Sequence, residues 1–351
     1  MDDLAVLVTG SGAPGIAGTL YSLRNNFEGR RVTVIGTDIQ DEVVGRYLCD
    51  KFYKISRPSS QEYLPQLLSI CEKERIDVLL PQNTAELLVL AEHKDEFEST
   101  GTKVAVSNKK GIDLANNKYE LMKLAKTVGV PAPRFHLVRS QDDLEKRARD
   151  LGWPERPVVV KPPVSNGMRG LRVIDESLDQ RHLFFAEKPS GVHVKMDYLT
   201  SVLGPSFPDL LIMEYLGGAE YTVDALKAEK LAVIPRKRDL IKTGITFNGT
   251  VEKNEKIIEH SERLSRETDL SYAFGFQFKL DDEGAPKLLE SNPRVQGTMV
   301  LATFAGANVI YGAVKHAMGE EVPEFNVAWG TRILRYWGGI GVGAESVLGA
   351  L

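Results

Sequence analysis

The N-terminal third of the chain alternates continuous apolar runs with segments in which apolar residues recur at helical spacing. The apolar runs cover residues 4–9, 31–38, 76–81 and 103–107, and the helical segments cover residues 16–23, 61–73 and 84–97. Continuous apolar runs are typical of strands buried on both faces of a parallel sheet. The pattern therefore predicts an open, doubly wound α/β sheet of four or five strands that ends near Ala115.

A boundary is predicted after this sheet. Lys118 precedes a predicted helix over 119–127, which is closed by Gly129 and followed by Pro131 and Pro133, residue types that end helices and mark loops. A second, smaller unit is predicted from residue 134 to about residue 216. Its elements are a helix over 141–150, strands over 157–161 and 171–174, and a helix over 178–187.

Two alternating apolar runs near the C-terminal end, 274–280 and 287–292, are joined by the turn-rich segment 281–286 and predict a hairpin. The pairing would set Gln277, Glu290 and Asn292 side by side, since residues two apart on a strand share a face. Their oxygens suit Mg²⁺ that bridges phosphates, and Arg294 follows within reach. The hairpin therefore predicts a metal and phosphoryl site, although solvated strand ends would carry the same residue types.

Composition places the chain among globular proteins. Of its 351 residues, 42% are hydrophobic and 26% are charged, and the formal net charge is −4. This charge predicts no general attraction to nucleic acid or to an anionic membrane. No apolar run reaches the roughly 18 residues of a membrane span, and the first residues lack the basic region of a signal peptide. A cytoplasmic location is therefore expected.

The number and spacing of the cysteine and histidine residues argue against several classes of site. The two cysteines, Cys49 and Cys71, are too few for a disulfide framework or a thiolate metal site. Cys71 lies among apolar residues at helical spacing and is expected to be a buried apolar filler. The 6 histidines show no ligand spacing, which gives little support to a zinc site or to a Ser/His/Asp triad.

The turn over 10–15 carries the pattern G-x-G-x-x-G between a predicted strand and a predicted helix, and Asp38 ends the next strand. This combination is the dinucleotide fingerprint and makes an NAD(P)-dependent oxidoreductase the first rival hypothesis. Two other readings stay open. The glycines serve a tight strand-to-helix turn alone, or the helix N-terminus receives a carboxylate or phosphate of another ligand.

Lys161 ends a predicted strand and precedes the loop 162–170, which contains Ser165, Gly167 and Gly170. Glycine-rich loops wrap their backbone N–H groups around phosphate oxygens, and a lysine at the strand end adds a fixed positive charge. Such a loop can close over a substrate. The alternative is a surface hairpin with a solvated lysine.

The apolar run 210–216 contains a single acid, Glu214, and a carboxylate in such a run needs a partner. The segment that follows can offer backbone groups to an adenine edge, and Glu220 can accept hydrogen bonds from ribose hydroxyls. A later strand ends in three cations at 236–238. Charge runs of this kind usually form a solvated face.

The order of these features closely resembles the ATP-grasp superfamily, and within it the carbamoyl-phosphate-synthase-like carboxylate–amine ligases. The features are Lys118, Lys161 with its glycine loop, Glu214 with Glu220, Gln277, and the run Glu290-Ser-Asn-Pro-Arg294. The resemblance covers residues 4–319. It implies an ATP-grasp fold, of α/β and α+β class, with a Rossmann-like pre-ATP-grasp domain over 1–115. A small lid subdomain with its linker helix over 116–216 and a C-terminal subdomain with the metal site over 217–351 would follow.

The resemblance also implies a role for each matching residue. Lys118 and Lys161 match the lysines that hold the nucleotide phosphates, and Ser165, Gly167 and Gly170 belong to the lid loop. The adenine-binding connector corresponds to Glu214, Tyr215 and Leu216, and Glu220 corresponds to the ribose-binding acid. The metal ligands correspond to Gln277, Glu290 and Asn292. Arg294 matches the arginine that stabilises the transferring phosphoryl group, and Arg236 lies where some relatives contact the substrate.

The implied reaction uses ATP as co-substrate and Mg²⁺, commonly two ions, with Mn²⁺ as an expected substitute. A small-molecule carboxylate is activated as an acyl phosphate and joined to an amine, with an amino acid expected on at least one side. A homodimer is the common assembly. Gln277 departs from the pattern, since many relatives carry an acid there, and this weakens the case for two tightly held ions.

Two further alternatives remain open. One is a kinase of a small carboxylate, such as carbamate, that has no amine step. The other is a regulatory nucleotide-binding protein that has lost catalysis, which the presence of Lys161, Glu290, Asn292 and Arg294 disfavours. Within the tail over 320–351, only residues 331–337 are predicted to form a strand, and no role is assigned to Arg332 or Arg335.

Overall fold

A computed structural model describes residues 3–165, 167–186, 191–343 and 346–350. The first stretch folds into five strands: β1 Leu4–Val8, β2 Val32–Asp38, β3 Lys51–Lys54, β4 Val78–Leu80 and β5 Lys103–Val104. Its helices are α1 Ile16–Arg24, α2 Gly45–Leu48, α3 Tyr63–Glu74, α4 Leu87–Glu92, α5 Lys94–Ser99 and α6 Lys109–Asn116. The predicted alternation of strands and helices is therefore confirmed.

These five strands form one parallel sheet with the order β3-β2-β1-β4-β5. Because β1 lies between β2 and β4, the strand order reverses at β1, and loops after β1 and β4 meet at the carboxyl edge of the sheet. In open α/β sheets this reversal point forms a crevice that often binds ligands. The crevice therefore places the turn over 10–15 beside the segment that follows β4.

The next stretch contains strands and helices of mixed direction. Its helices are α7 Lys118–Thr127, α8 Gln141–Leu151, α9 Gln180–Ala186 and α10 Met196–Leu203. Its strands are β6 Phe135–Ser140, β7 Val158–Lys161, β8 Arg172–Ile174, β9 His193–Val194 and β10 Ser206–Glu214. They form one sheet of order β6-β10-β7-β8-β9, in which Lys161 pairs with Leu211 across an antiparallel ladder.

The last stretch is built on long antiparallel strands. The strands are β11 Glu220–Lys227, β12 Leu231–Lys242, β13 Ile245–Val251, β14 Tyr272–Leu280, β15 Pro286–Asn292, β16 Arg332–Leu334, β17 Ile340–Val342 and β18 Val347–Ala350. The helices are α11 Glu255–Glu267, α12 Val300–Phe304 and α13 Val309–Ala317. The main sheet has the order β15-β14-β11-β12-β13-β16, so the predicted hairpin strands are neighbours in it.

The chain divides into two compact units. Unit 1 comprises residues 1–115, 220–277 and 291–351, and unit 2 comprises residues 116–219 and 278–290. A large apolar core of unit 1 joins Leu20 and Leu23 of α1 to Met299, Leu301 and Tyr311. The core of unit 2 lies between its sheet and helices α8 and α10. The three-domain division expected from the sequence stays a prediction.

Several elements differ from the expectation. The predicted helix over 84–97 is divided into a short turn, α4 and α5. Strand β3 was not expected, because exposed lysines flank its two adjacent aromatic residues, which are only partly buried. The expectation of one strand in the tail is wrong, since β17 and β18 pair there. The predicted end of the helix over 178–187 lies outside the described residues, and α9 ends at Ala186.

Candidate functional site

Two buried lysines of unit 2 share one carboxylate. Lys118 begins α7 and Lys161 ends β7, and each side chain is about 95% buried, with 5% exposed. Their Nζ atoms lie 3.7 Å and 3.8 Å from Oε2 of Glu290. These distances exceed those of direct hydrogen bonds. The three groups together carry a net positive charge in a mostly buried position, which favours binding of an anion.

The start of the glycine loop is tied to the same lysine. Lys118 Nζ donates a hydrogen bond of 2.5 Å to the carbonyl oxygen of Ser165, and its backbone N–H donates to Pro163 at 2.9 Å. Gly167 and Gly170 have φ values of 61° and 75°, a region that favours glycine. A side chain at Gly170 would also meet Pro162 at 2.5 Å. The predicted lid loop includes residue 166, which lies outside the described residues.

Glu214, the single acid of its apolar run, has two cationic partners in unit 2. Its carboxylate accepts hydrogen bonds from Arg134 Nε at 2.9 Å and from Lys287 Nζ at 2.8 Å. Burial alone would raise the pKa of Glu214, but the hydrogen bonds from Lys287 and Arg134 outweigh it and lower the pKa. Glu214 is therefore a structural ion-pair centre at the end of β10, and the connector begins directly after it.

The two other connector residues differ in environment. Leu216 is buried, whereas Tyr215 is exposed and has Lys279 Nζ 5.1 Å from its ring centroid. The backbone N–H of Gly218 donates to Leu280 at 3.0 Å, which fixes the segment after the connector. Their assignment to an adenine site stays a prediction.

Arg236 is the largest fully buried side chain of the chain's described residues, with 1% exposure, and it pairs with Asp224 at 0% exposure. Its Nε and Nη2 atoms lie 2.6 Å and 2.7 Å from the two carboxylate oxygens of Asp224. Gln296 Nε2 donates to the same carboxylate at 3.2 Å. The expected solvated face over 236–238 is therefore wrong for Arg236, because strand β12 turns this side chain into the sheet core.

Glu220 is also engaged by a cation of the same run. Arg238 Nη1 donates to its carboxylate, and Arg238 Nε and Nη2 donate to Thr246 at 2.9 Å and Gly244 at 2.6 Å. Arg238 is thus largely buried, which again contradicts a solvated face. The ribose-binding role of Glu220 stays a prediction, and it would require the carboxylate to accept from a sugar hydroxyl beside Arg238.

The predicted metal ligands lie on β14 and β15, where successive side chains point to opposite faces of the sheet. Ser291 is buried and donates to the carbonyl of Gly275 at 3.0 Å, whereas Glu290 and Asn292 are partly exposed. Asn292 Nδ2 lies 3.5 Å from Gln296 Oε1. A side chain at Gly275 would overlap the Gln296 amide at 1.8 Å. Gly275 therefore makes room for Gln296, on the face that it shares with Gln277.

Arg294 follows β15 and contacts the crevice of the N-terminal sheet. Its Nε donates to the hydroxyl of Thr84 at 3.0 Å and its Nη1 donates to the carbonyl of Val295 at 2.8 Å. Arg335, to which the sequence assigned no role, donates from Nη2 to Gly297 at 2.6 Å. Burial, and then the nearby charge of Arg236, lower the pKa of Arg335. The guanidinium groups of Arg335 and Arg236 therefore lie close enough in unit 1 for their charges to interact.

The glycine turn after β1 packs against protein. The N–H of Gly12 donates to Oδ2 of Asp38 at 2.8 Å, so the two parts of the dinucleotide fingerprint bind each other. A side chain at Gly15 would meet the Cα of Gly297 at 2.6 Å. These glycines permit close backbone approach, as the tight-turn reading expects. The packing argues against a pyrophosphate at this turn.

Sequence reasoning missed the partners of the predicted residues. Asp224, Gln296 and Thr84 hold Arg236, Asn292 and Arg294, and Arg134 with Lys287 holds Glu214. One signal was available for Asp224, which lies in the apolar strand β11 and needs a cation. Pairings that join positions 210 residues apart, as in Thr84 and Arg294, have no local signal.

Two family models match the chain. An ATP-grasp model, described as ATP-grasp in the biosynthetic pathway with Ter operon, matches residues 206–335. A model of a PylC-like N-terminal domain matches residues 6–105. Among solved structures, N5-carboxyaminoimidazole ribonucleotide synthetase in complex with ADP has a TM-score of 0.67 at 13% identity, and covers 93% of this chain and 79% of its own.

The chain has an ATP-grasp fold. Biotin carboxylase from Campylobacter jejuni, solved as a β,γ-ATP complex, is similar in fold with a TM-score of 0.67 at 16% identity, over 91% of this chain and 72% of its own. The predicted fold class and the resemblance to the ATP-grasp superfamily are thereby confirmed, including the parallel-sheet domain at the N-terminus.

Curated relatives of this chain are carbamoyl phosphate synthase large chains. The protein from Clostridium acetobutylicum is 22% identical over 276 residues, which are 75% of this chain and 24% of the relative. The C-terminal section from Methanopyrus kandleri is 26% identical over 280 residues, which are 74% and 47% of the two chains. This chain therefore spans less than half the length of these relatives.

The described residues contain neither a membrane-spanning helix nor a cluster of acidic, histidine and cysteine metal ligands. No helix in the part of the chain that the structure describes has both the length and the apolar character needed to cross a membrane. Within the same residues, no three His, Cys, Asp or Glu side chains come together as a metal cluster. The predicted ligand set contains a single carboxylate and two amides, so it is not a cluster of this kind and stays a prediction.

Proposed function

We propose that this protein is an ATP- and Mg²⁺-dependent carboxylate–amine ligase that works through an acyl phosphate. The observation that carries the proposal is that the buried Lys118 and Lys161 both face the partly exposed carboxylate of Glu290, with Nζ to Oε2 distances of 3.7 Å and 3.8 Å. Two buried ammonium groups against one carboxylate suit a polyanion such as a triphosphate. The ADP and β,γ-ATP complexes of the structural neighbours support the nucleotide.

The chemistry follows from the electrophile that amide formation needs. A carboxylate oxygen of the substrate attacks the γ-phosphorus of ATP, an O–P bond forms, and the bond to the β-phosphate oxygen breaks with release of ADP. The amine nitrogen then attacks the acyl carbon, and phosphate leaves with the bonding electron pair while the amine loses a proton. No covalent enzyme nucleophile is required, so catalysis rests on positioning and on electrostatic stabilisation.

Each residue has a part in this scheme. Lys118 and Lys161 would offset the charge of the transferring phosphates, and Arg294 would stabilise the phosphoryl group in the transition state. Arg236 is fully buried against Asp224, so we assign it to positioning through Gln296 instead of direct substrate contact. Glu214, Tyr215 and Leu216 would line the adenine site.

We infer that Glu290, Asn292 and Gln277 would hold Mg²⁺ with a single protein carboxylate. Glu290 supplies a carboxylate that is partly exposed, and its contacts to the lysines are longer than hydrogen bonds. Asn292 uses its amide nitrogen toward Gln296, which leaves its oxygen as the donor to a cation. When bound, Mg²⁺ supplies charge neutralisation for the phosphates. Two ions with Mn²⁺ as a substitute, a homodimer and a cytoplasmic location stay predictions.

The test compares Glu290→Ala with Glu290→Gln in an assay of carboxylate-dependent ADP formation. Both changes should abolish Mg²⁺-dependent turnover, because neither replaces the anionic oxygen. Asp209→Asn, which alters an exposed ion pair with Arg139, serves as the control and should retain full activity. Undiminished turnover of the Glu290 variants would contradict the metal role. Screening amino-acid pairs for phosphate release would identify the carboxylate and the amine.

A second candidate is a kinase of a small carboxylate that stops at the acyl phosphate. The relatives named carbamoyl phosphate synthase favour it. Mass spectrometry of the products distinguishes the two, because the ligase yields an amide and free phosphate, whereas the kinase yields a phosphorylated carboxylate or its hydrolysis products without an amide.

A further inference from the structure

Thr84 lies in the short turn between β4 and α4, and its side chain contacts the Arg294 guanidinium in unit 1. The hydroxyl Oγ1 accepts from Nε at 3.0 Å. The neighbouring Nη1 donates to the carbonyl of Val295 at 2.8 Å, and the backbone N–H of Arg294 donates to Asn292 at 2.9 Å. Bonds at Nε and Nη1 together restrict rotation of the guanidinium plane, because the group is rigid and planar.

A buried carboxylate fixes the turn that carries Thr84. Glu86 accepts from the backbone N–H of Asn83 at 2.8 Å and of Gln82 at 3.2 Å, and Tyr63 donates its hydroxyl at 2.7 Å. Asn83 accepts from the N–H of Ala85 at 3.1 Å, which completes a capping box. A turn held by this many bonds at a sheet edge places the Thr84 hydroxyl with little freedom.

We propose that Thr84 is a positioning residue for Arg294. Its hydroxyl orients the guanidinium, and because this acceptor is neutral, it adds no counter-charge of its own beside the transferring phosphoryl group. A carboxylate at this position would form an ion pair and compete with the substrate's anionic oxygens. The functional part of this inference rests on the proposed ligase activity, whereas the orientation of Arg294 by Thr84 does not.

The first experiment compares Thr84→Val, which removes the acceptor at constant shape, with Thr84→Ser, which keeps it. Thr102→Val is the control, because Thr102 is a buried threonine directly before β5 whose hydroxyl donates to the carbonyl of Ile76 at 2.8 Å and does not contact Arg294 in any described bond. A hydrogen bond to a charged group is worth about 1.5–3 kcal/mol, which corresponds to a roughly 10- to 150-fold loss of kcat. We expect this loss in Thr84→Val at unchanged KM for ATP, and near-normal kcat in the other two variants.

A double-mutant cycle tests whether Thr84 acts through Arg294. In an Arg294→Lys background, Thr84→Val should cause no further loss of kcat, because the Nε donor is already absent. An equal loss in both backgrounds would overturn the proposal and indicate a general effect on the turn. A kcat of Thr84→Val equal to that of the unaltered protein would overturn it as well.

A readout without turnover separates this inference from the proposed function. In protein labelled with ¹⁵N at arginine side chains, the Nε proton of Arg294 should exchange with solvent about tenfold faster in Thr84→Val and at the normal rate in Thr84→Ser. Unchanged exchange in Thr84→Val would refute the orienting contact. Faster exchange in a protein that forms no ADP with any carboxylate would retain the contact and reject the ligase reaction.

Discussion

The buried pair of Asp224 and Arg236 gives a sharp test of the energetics of unit 1. Asp224→Asn keeps the shape of the side chain and removes its charge, so the Arg236 guanidinium stays buried without a counter-charge. The two residues are 0% and 1% exposed, and the carboxylate oxygens lie 2.6 Å and 2.7 Å from the guanidinium. Breaking one side of such a pair costs about 3–5 kcal/mol.

This cost is measurable by calorimetry and by urea unfolding followed by circular dichroism. For a unit of this size we expect the unfolding midpoint of Asp224→Asn to fall by about 10 °C. The double variant with Asp224→Leu and Arg236→Met should recover most of the stability, since an apolar pair of similar volume avoids the desolvation of two charges. Asp209→Asn alters an exposed pair with Arg139 and should leave the midpoint unchanged.

The reasoning fails if the free energy of unfolding of Asp224→Asn lies within about 1 kcal/mol of that of the unaltered protein, because a buried cation without a counter-charge should destabilise the fold by more than this. It also fails if the apolar double variant is no more stable than the single variant. Either result would mean that water or another anion compensates Arg236. The same variants report on function, since the double variant should lose ligase activity while it keeps its fold.

Three further predictions concern other positions. The pKa of Glu214 is lowered from its ordinary value of 4.5 by hydrogen bonds that outweigh burial, so its stabilisation is present above pH 4.5 and is lost as the pH falls through the lowered pKa. The free energy of unfolding, measured in urea, should therefore fall more steeply below pH 4.5 in the unaltered protein than in Glu214→Gln. Gly15→Ala should destabilise the fold by about 1–3 kcal/mol through overpacking, whereas Gly339→Ala, with nothing within 4 Å, should be neutral by thermal unfolding. Burial raises the pKa of Cys71 to about 12 and that of Cys49 to about 11, so both thiols should react with a disulfide reagent at pH 8 only after denaturant is added.

The sequence predicts most of the N-terminal sheet because its strands are buried on both faces and their apolar runs are unbroken. Strands β1, β2 and β4 fall within the predicted runs, and α1 begins where helical spacing begins. Strand β3 was not predicted because it is short and has an exposed lysine at each end, at the edge of the sheet. Local pattern thus specifies elements that bury two faces more clearly than edge elements.

The candidate site is predictable in its residue types and much less in its geometry. Motif order alone singled out Lys118, Lys161 and Glu290, and the structure brings these three together within unit 2. The burial of Arg236 could not be foreseen, because a run of three cations reads as a solvated surface until its partner Asp224 is known. The contact of Arg294 with Thr84 depends on tertiary pairing, which sequence spacing does not encode.

The approach of Gly15 to Gly297 has a consequence for biosynthesis. Helix α1 buries Leu20 and Leu23 against residues near 299–311, so this helix completes its core only after residues almost 300 positions further along the chain have left the ribosome. Contacts of such sequence separation form slowly, and the exposed apolar side of the early sheet is prone to association during that interval. An isolated fragment ending near residue 115 should therefore be poorly soluble on its own.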